Sequence, residues 1–170
     1  MYNNPNQYVN NNIQPGQAVP PGHAAPPAQV AQPAQGGQPG QEAQVDPVAA
    51  INNIAKEFVN FYYQTFDSKR ENLKDLYRPM STMNWEGTRL AGTEAIVEKL
   101  TSLPFTKVAH KITTTDALQS LPNVPAVVIM VTGQLLVDDE TKPQQFSQTF
   151  QLVNDNGFFI FNEIFRLNYA

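Results

Sequence analysis

The chain has 170 residues, no cysteine and a formal charge of −4, from 11 Lys and Arg against 15 Asp and Glu. Disulfides, thiolate chemistry and cysteine-ligated metals are excluded, and the mild acidity lacks the basic footprint of a nucleic-acid binder. The longest unbroken apolar run, Ala126 to Val131, is far too short to cross a bilayer, and no basic and apolar leader opens the chain, so neither membrane insertion nor a signal peptide is expected.

Residues 1–46 mix Asn, Gln, Pro, Ala and Gly, with Glu42 and Asp46 as the only charged side chains before Pro47. Such a composition cannot bury enough apolar surface to offset a backbone ordering cost of roughly 1–2 kcal/mol per residue. A disordered tail over 1–46 and a folded domain over 47–170 are expected. His23 stands alone in the tail and is not expected to bind a metal.

Asp46 as N-cap and Pro47 at the first helical position open a helix. Ile51, Ile54, Ala55, Phe58, Phe61 and Tyr62 recur at three- and four-residue spacing and carry it to about Phe66. Ser68-Lys69-Arg70-Glu71 has the form of a capping box and predicts a second, short helix that buries Leu73, Leu76 and Tyr77 and stops at Pro79. Thr82 to Leu90 reads as a strand pair turning at Gly87. Gly92-Thr93 starts a third helix, with Ile96, Val97, Leu100 and Leu103 inward and Pro104 as its stop.

Beyond Pro104 the period becomes two. Val108, His110, Ile112 and Thr114 share one face of a strand, and Asp116 falls on the loop after it. Val127 to Val137 reads as a central strand apolar on both faces. Phe146 to Leu152 alternates, Asp155-Asn156-Gly157 supplies turn chemistry, and Phe158 to Leu167 closes the chain. Helices first and long strands after predict an α+β fold, three helices packed on an antiparallel sheet. Three helices cover one sheet face, leaving an apolar surplus from Ile129, Val131, Phe150 and Leu152 on the other. A homodimer packed through its sheets is therefore expected, with His110, Ile129, Met130 and Phe150 as candidate seam residues.

Trp85, Leu103, Phe105, Ile164 and Phe165 are bulky groups near element ends, where they can line a pocket. Glu86, Asp138, Asp139 and Glu140 are carboxylates on adjoining turns; without a partner, the last three also read as a solvated hairpin tip. His110 is the only histidine after the tail, and it reads as a hydrogen-bonded structural group, a neighbour of the rim or a seam residue. No carboxylate–histidine arrangement with inward phasing is evident, which argues against an enzyme, and neither metal nor cofactor is expected.

Phe61-Tyr62-Tyr63, Trp85-Glu86-Gly87, Ala95-Ile96-Val97-Glu98-Lys99-Leu100, Ser102-Leu103-Pro104-Phe105, Gly133-Gln134-Leu135 and Phe165-Arg166-Leu167 together resemble the nuclear transport factor 2 family over residues 48–170, with a slightly longer loop at Leu118–Pro125. The resemblance implies a cone-shaped fold with a strongly bent sheet, a homodimer and an apolar surface cavity. It also implies a carrier of the small GTPase Ran in its GDP form that binds phenylalanine-glycine repeats of nucleoporins and moves between cytoplasm and nucleus, concentrated at the nuclear envelope. In that pattern Glu86, Asp138 and Glu140 contact the partner, around a cavity of Trp85, Leu103, Phe105, Ile164 and Phe165. Ile51 on the first helix takes the repeat-binding position. Two other readings share the fold: a heterodimeric export adaptor and a cone-fold isomerase or dehydratase. No RNA-binding motif or further domain is expected before the end at Ala170.

Overall fold

The computed structural model describes residues 46–169. The expectations for the tail, His23 included, lie outside these residues apart from Asp46. Helix α1 spans Pro47–Ser68, and the Asp46 side chain caps it by accepting from the Val48 amide at 3.0 Å. Its buried side is Ala55, Val59, Tyr62, Tyr63 and Phe66. Phe61, placed on that stripe by spacing, is instead 51% exposed. It sits next to Tyr62 on a helix, where adjacent residues point about 100° apart.

The expected second α-helix is a 3-10 helix, Arg70–Leu76, with no side-chain cap. Ser68 does not cap it, because its hydroxyl donates to the Gln64 carbonyl inside α1. Pro79 does not stop it either: strand β1 runs Tyr77–Trp85 straight through that proline. The proline is tolerated because β1 pairs with the last strand at Tyr77 and again from Thr82, and the four residues between are bulged out of the ladder. There the buried Ser81 hydroxyl takes over, accepting from the Arg78 amide and donating to the Ile160 carbonyl.

Strand β2 is Thr88–Ala91, joined to β1 by the two-residue turn Glu86-Gly87, both at positive φ (50° and 87°). This left-handed pair is the hairpin geometry that suits the twist of the flanking strands, and glycine adopts it without strain. Helix α2 follows at Thr93–Thr101, then β3 (Val108–Leu121), β4 (Val124–Val137), β5 (Gln144–Asn154) and β6 (Phe158–Asn168). The expected loop at Leu118–Pro125 is mostly strand, turning at Pro122-Asn123, and Asp116 lies within β3.

The six strands order as β2-β1-β6-β5-β4-β3. All neighbours are antiparallel except β1 and β6, which run parallel and make the sheet mixed. The helices cover one face, and Val127, Ile129, Val131, Leu135, Phe146, Phe150, Leu152, Ile160 and Phe165 form the core there. This corrects the expected seam. Ile129 and Phe150 are fully buried, and the His110 side chain is 3% exposed, so these three face the helices of their own chain. Phe150 packs edge-on to Phe58 and Tyr62 of α1 at 5.0 and 4.7 Å. Met130, one residue out of phase with Ile129, is 48% exposed on the opposite face. That face also carries Ile164 at 53% and Leu118 at 71%. Thr114 leaves the face of Ile112 because Thr113 is an extra, bulged residue; its hydroxyl bonds that of Thr132 at 2.7 Å on the open side.

Candidate functional site

A cavity of about 310 Å³ opens at one end of the helix-covered face. Each wall has its own source. Phe66 comes from the last turn of α1, Trp85 from the end of β1, and Leu135 and Val137 from β4. Phe165 and Leu167 come from β6, and Leu103, Pro104 and Phe105 from the segment between α2 and β3. Trp85 and Phe165 stack with ring centres 4.0 Å apart and 9° between planes, and Phe66 lies parallel to Trp85 at 6.2 Å. The parallel β1–β6 register pairs Trp85 with Phe165, which brings residues 80 apart in sequence into this stack.

Of the residues expected at a cavity, Trp85, Glu86, Leu103, Phe105, Glu140 and Phe165 line it. Ile164 does not. Along a strand successive side chains alternate faces, so with Glu163 and Phe165 turned inward Ile164 points to the open face. Ile51 lies far along α1 from the cavity and is half-buried against the core.

The acidic groups are not loose surface charges. Glu86, at the turn, donates its amide to the Phe165 carbonyl, accepts from the Leu167 amide through Oε1, and holds Oε2 3.8 Å from Arg166. Asp138, at φ 46°, directs Oδ1 at the Thr106 amide (3.0 Å), the Thr106 hydroxyl (2.9 Å) and the Lys107 amide (2.8 Å). Those bonds, the Lys107 amide foremost, hold its carboxyl below the usual range. Glu140 accepts from Gln144 at 3.2 Å, while Asp139 is simply exposed. Glu86 and Asp138 each use one oxygen to secure the chain next to the cavity, and Glu86 holds the other near Arg166.

Two contributors escaped the sequence reading. Arg70 donates to the carbonyls of Leu100 (3.4 Å) and Phe105 (3.1 Å), and its guanidinium sits 4.4 Å from the Phe105 ring centre and 5.6 Å from that of Phe66. It thus fastens the one wall that has no regular structure. The second is the pair Asp67–His110. Asp67 Oδ1 meets His110 Nδ1 and Oδ2 accepts from the His110 amide at 2.9 Å, at the inner end of the cavity. The expectation of no carboxylate–histidine arrangement is therefore wrong. The partners are 43 residues apart, and only the docking of α1 on β3 joins them.

A model of the nuclear transport factor 2 domain matches residues 54–167. The Candida glabrata protein named nuclear transport factor 2 is 53% identical over 120 residues, 70% of this chain and 95% of that one. Its Schizosaccharomyces pombe namesake is 52% identical over 124 residues, 72% of this chain and all of that one. Among solved structures, nuclear transport factor 2 of Cryptosporidium parvum superposes with a TM-score of 0.65 at 40% identity, over 74% of this chain and all of that one.

Proposed function

The chain belongs to the nuclear transport factor 2 family, and from that premise we propose that it is a nuclear import carrier, binding Ran-GDP through the cavity and nucleoporin repeats elsewhere. One observation carries the reading: the stacked Trp85–Phe165 wall opens directly beside Glu86 and Glu140, with Asp138 fastening the segment that forms the opposite lip. An aromatic side chain of the GTPase enters against Trp85, Leu103, Phe105 and Phe165, and burying one such ring contributes roughly 1.5–3 kcal/mol. Cations flanking that ring meet the carboxylates of Glu86, Asp138 and Glu140. There, partly shielded from water, charge-assisted bonds are stronger than ordinary ones.

Ile51 is the proposed repeat contact, a half-exposed aliphatic on α1 suited to brief, shallow binding. Homodimerisation uses the open sheet face with Met130 and Ile164. Entry and exit through pores would place the protein in cytoplasm and nucleus and enrich it at the envelope. Catalysis has no part in this reading.

The test is capture of Ran by the immobilised full chain. GDP-loaded Ran should be retained and GTP-loaded Ran should not. Glu86→Gln keeps an acceptor for the Leu167 amide while removing the charge, so it should fold normally and bind GDP-loaded Ran about ten- to hundredfold more weakly, the equivalent of losing about 1.5–3 kcal/mol. Equal capture of both nucleotide forms, or undiminished capture by Glu86→Gln, would overturn the assignment.

A further inference from the structure

One feature of the cavity is foreign to a socket for a plain aromatic ring. Its inner end carries a polar side chain, His110, which is 3% exposed, against 29% for Glu86 at the rim. The ring cannot turn away. Both oxygens of Asp67 bind the same residue, at Nδ1 and at the backbone amide, and Phe66 and Phe146 stand edge-on to the imidazole at 5.1 and 5.3 Å. Nδ1 is taken up by the Asp67 carboxylate. Nε2 is left as the reading position.

Nε2 has no hydrogen-bond partner among the described residues, yet no buried side-chain nitrogen or oxygen among them lacks one. Nε2 therefore meets accessible space, and the space that His110 borders is the cavity. We propose that the cavity is also a small-molecule site for a single planar ring bearing a hydroxyl, the phenol class, with Nε2 of His110 as the atom that binds the hydroxyl. This goes beyond the carrier reading and stands without it.

The chemistry selects that class in three steps. At about 310 Å³ the cavity is at the lower end of ligand pockets, roughly 300–1,000 Å³, which favours one ring over a fused system. Trp85 and Phe165 cover each other's faces at 4.0 Å and form a rigid aromatic wall, against which a flat ring packs edge-on better than a branched aliphatic. A hydroxyl both donates and accepts, so it satisfies Nε2 whether or not that nitrogen carries a proton; a hydrocarbon ring leaves a buried polar atom unmatched. Asp67 acts here as a positioning residue, through the imidazole.

The test uses the full chain, with p-cresol and toluene as probes and the Trp85 indole N–H, from the only tryptophan, as the NMR reporter. Wild type should bind p-cresol in the millimolar range and about tenfold more tightly than toluene. His110→Phe should keep toluene binding and bring the ratio to about one. Asp67→Ala, which frees the imidazole, should also lower the ratio and serves if His110→Phe does not fold. Leu135→Trp, which fills the cavity and adds a second indole N–H assigned by comparison with wild type, should abolish both titrations at Trp85. A wild-type ratio near one, a ratio undiminished in either variant at the pair, or binding that survives Leu135→Trp overturns the proposal. Ran capture measured on the same samples keeps the two readings apart: phenol binding without capture removes only the carrier, and capture without phenol binding removes only this site.

Discussion

Asp138 shows how one exposed side chain fixes the shape of the segment beside the cavity. It and the residue after it are exposed, yet Oδ1 gathers three donors from Thr106 and Lys107. These bonds draw the segment carrying Phe105 towards the end of β4, and the Lys107 carbonyl accepts from the Asp138 amide at 3.0 Å. The sign of the pH effect follows from the lowered pKa. Between that value and the ordinary 3.8, the unfolded chain takes up a proton that the folded chain refuses. The bonds are intact above 3.8 and are lost as pH falls through the lowered value. The Thr106 and Lys107 amides should therefore keep their shifts and exchange protection down to the bottom of the carboxylate range and then change together. Asp138→Asn, which keeps an acceptor but has no titration, should abolish that step. A midpoint at or above 3.8 would mean that the carboxylate is not holding the segment in solution.

At the level of elements, the core is tied by a buried polar cluster as well as by apolar packing. Glu163 of β6 accepts from Tyr62 of α1 at 2.9 Å, from Tyr77 of β1 at 2.7 Å and from Gln148 of β5 at 2.7 Å, and Gln148 in turn accepts from Tyr63 at 2.7 Å. Burial raises the Glu163 carboxyl from 4.5 to about 7 in spite of those donors. Between these values the folded chain keeps a proton that the unfolded chain releases, so stability falls as pH rises from 4.5 to 7, at up to about 1.4 kcal/mol per pH unit, and levels above it. The urea midpoint should decline between pH 5 and 7 in wild type and decline less in Glu163→Gln; equal slopes would rule out Glu163 as the source. Little of this tie is legible in the sequence, where Glu163 is one charge in an aromatic strand. Periodicity carries α1, α2 and the long strands because each repeats a local pattern over several turns or pleats. It cannot reveal that β1 and β6 run parallel, that β1 passes through Pro79 on a bulge, or that Arg70 reaches two carbonyls. Those depend on contacts between distant segments. The cavity was readable as a set of bulky end residues beside carboxylates, but Ile164 was misplaced by a single step of strand alternation, and Asp67–His110 was invisible for want of the third dimension.

Over the whole molecule, that same alternation divides the work of the sheet. On β6, Phe165 faces the cavity and Ile164 the open side; on β4, Leu135 faces the cavity while Met130 lies on the open side. The open face is a polar lattice with apolar islands. Gln151 bonds Ser120 and Asn162 at 2.7 Å, and Met130, Ile164 and Leu118 stand among them. In the proposed homodimer such a face would pack on its own copy by matching islands, so the seam would depend on a few side chains. Wild type should sediment at twice 18.9 kDa at low micromolar concentration, and Met130→Glu or Ile164→Glu, which places a charge in the seam, should sediment as the monomer. The two substitutions differ in one informative respect. Ile164 neighbours Phe165 on β6 and shares its backbone with the cavity wall, whereas Met130 lies on β4, five residues from the lining Leu135. Because residues of one chain already form the cavity, a Met130→Glu monomer should still capture GDP-loaded Ran, and any loss confined to Ile164→Glu would be traced to the wall. A wild type that sediments as a monomer, or dimers that survive both substitutions, would move the seam off this face. Loss of capture on dissociation alone would mean that the cavity needs a second chain to hold its shape.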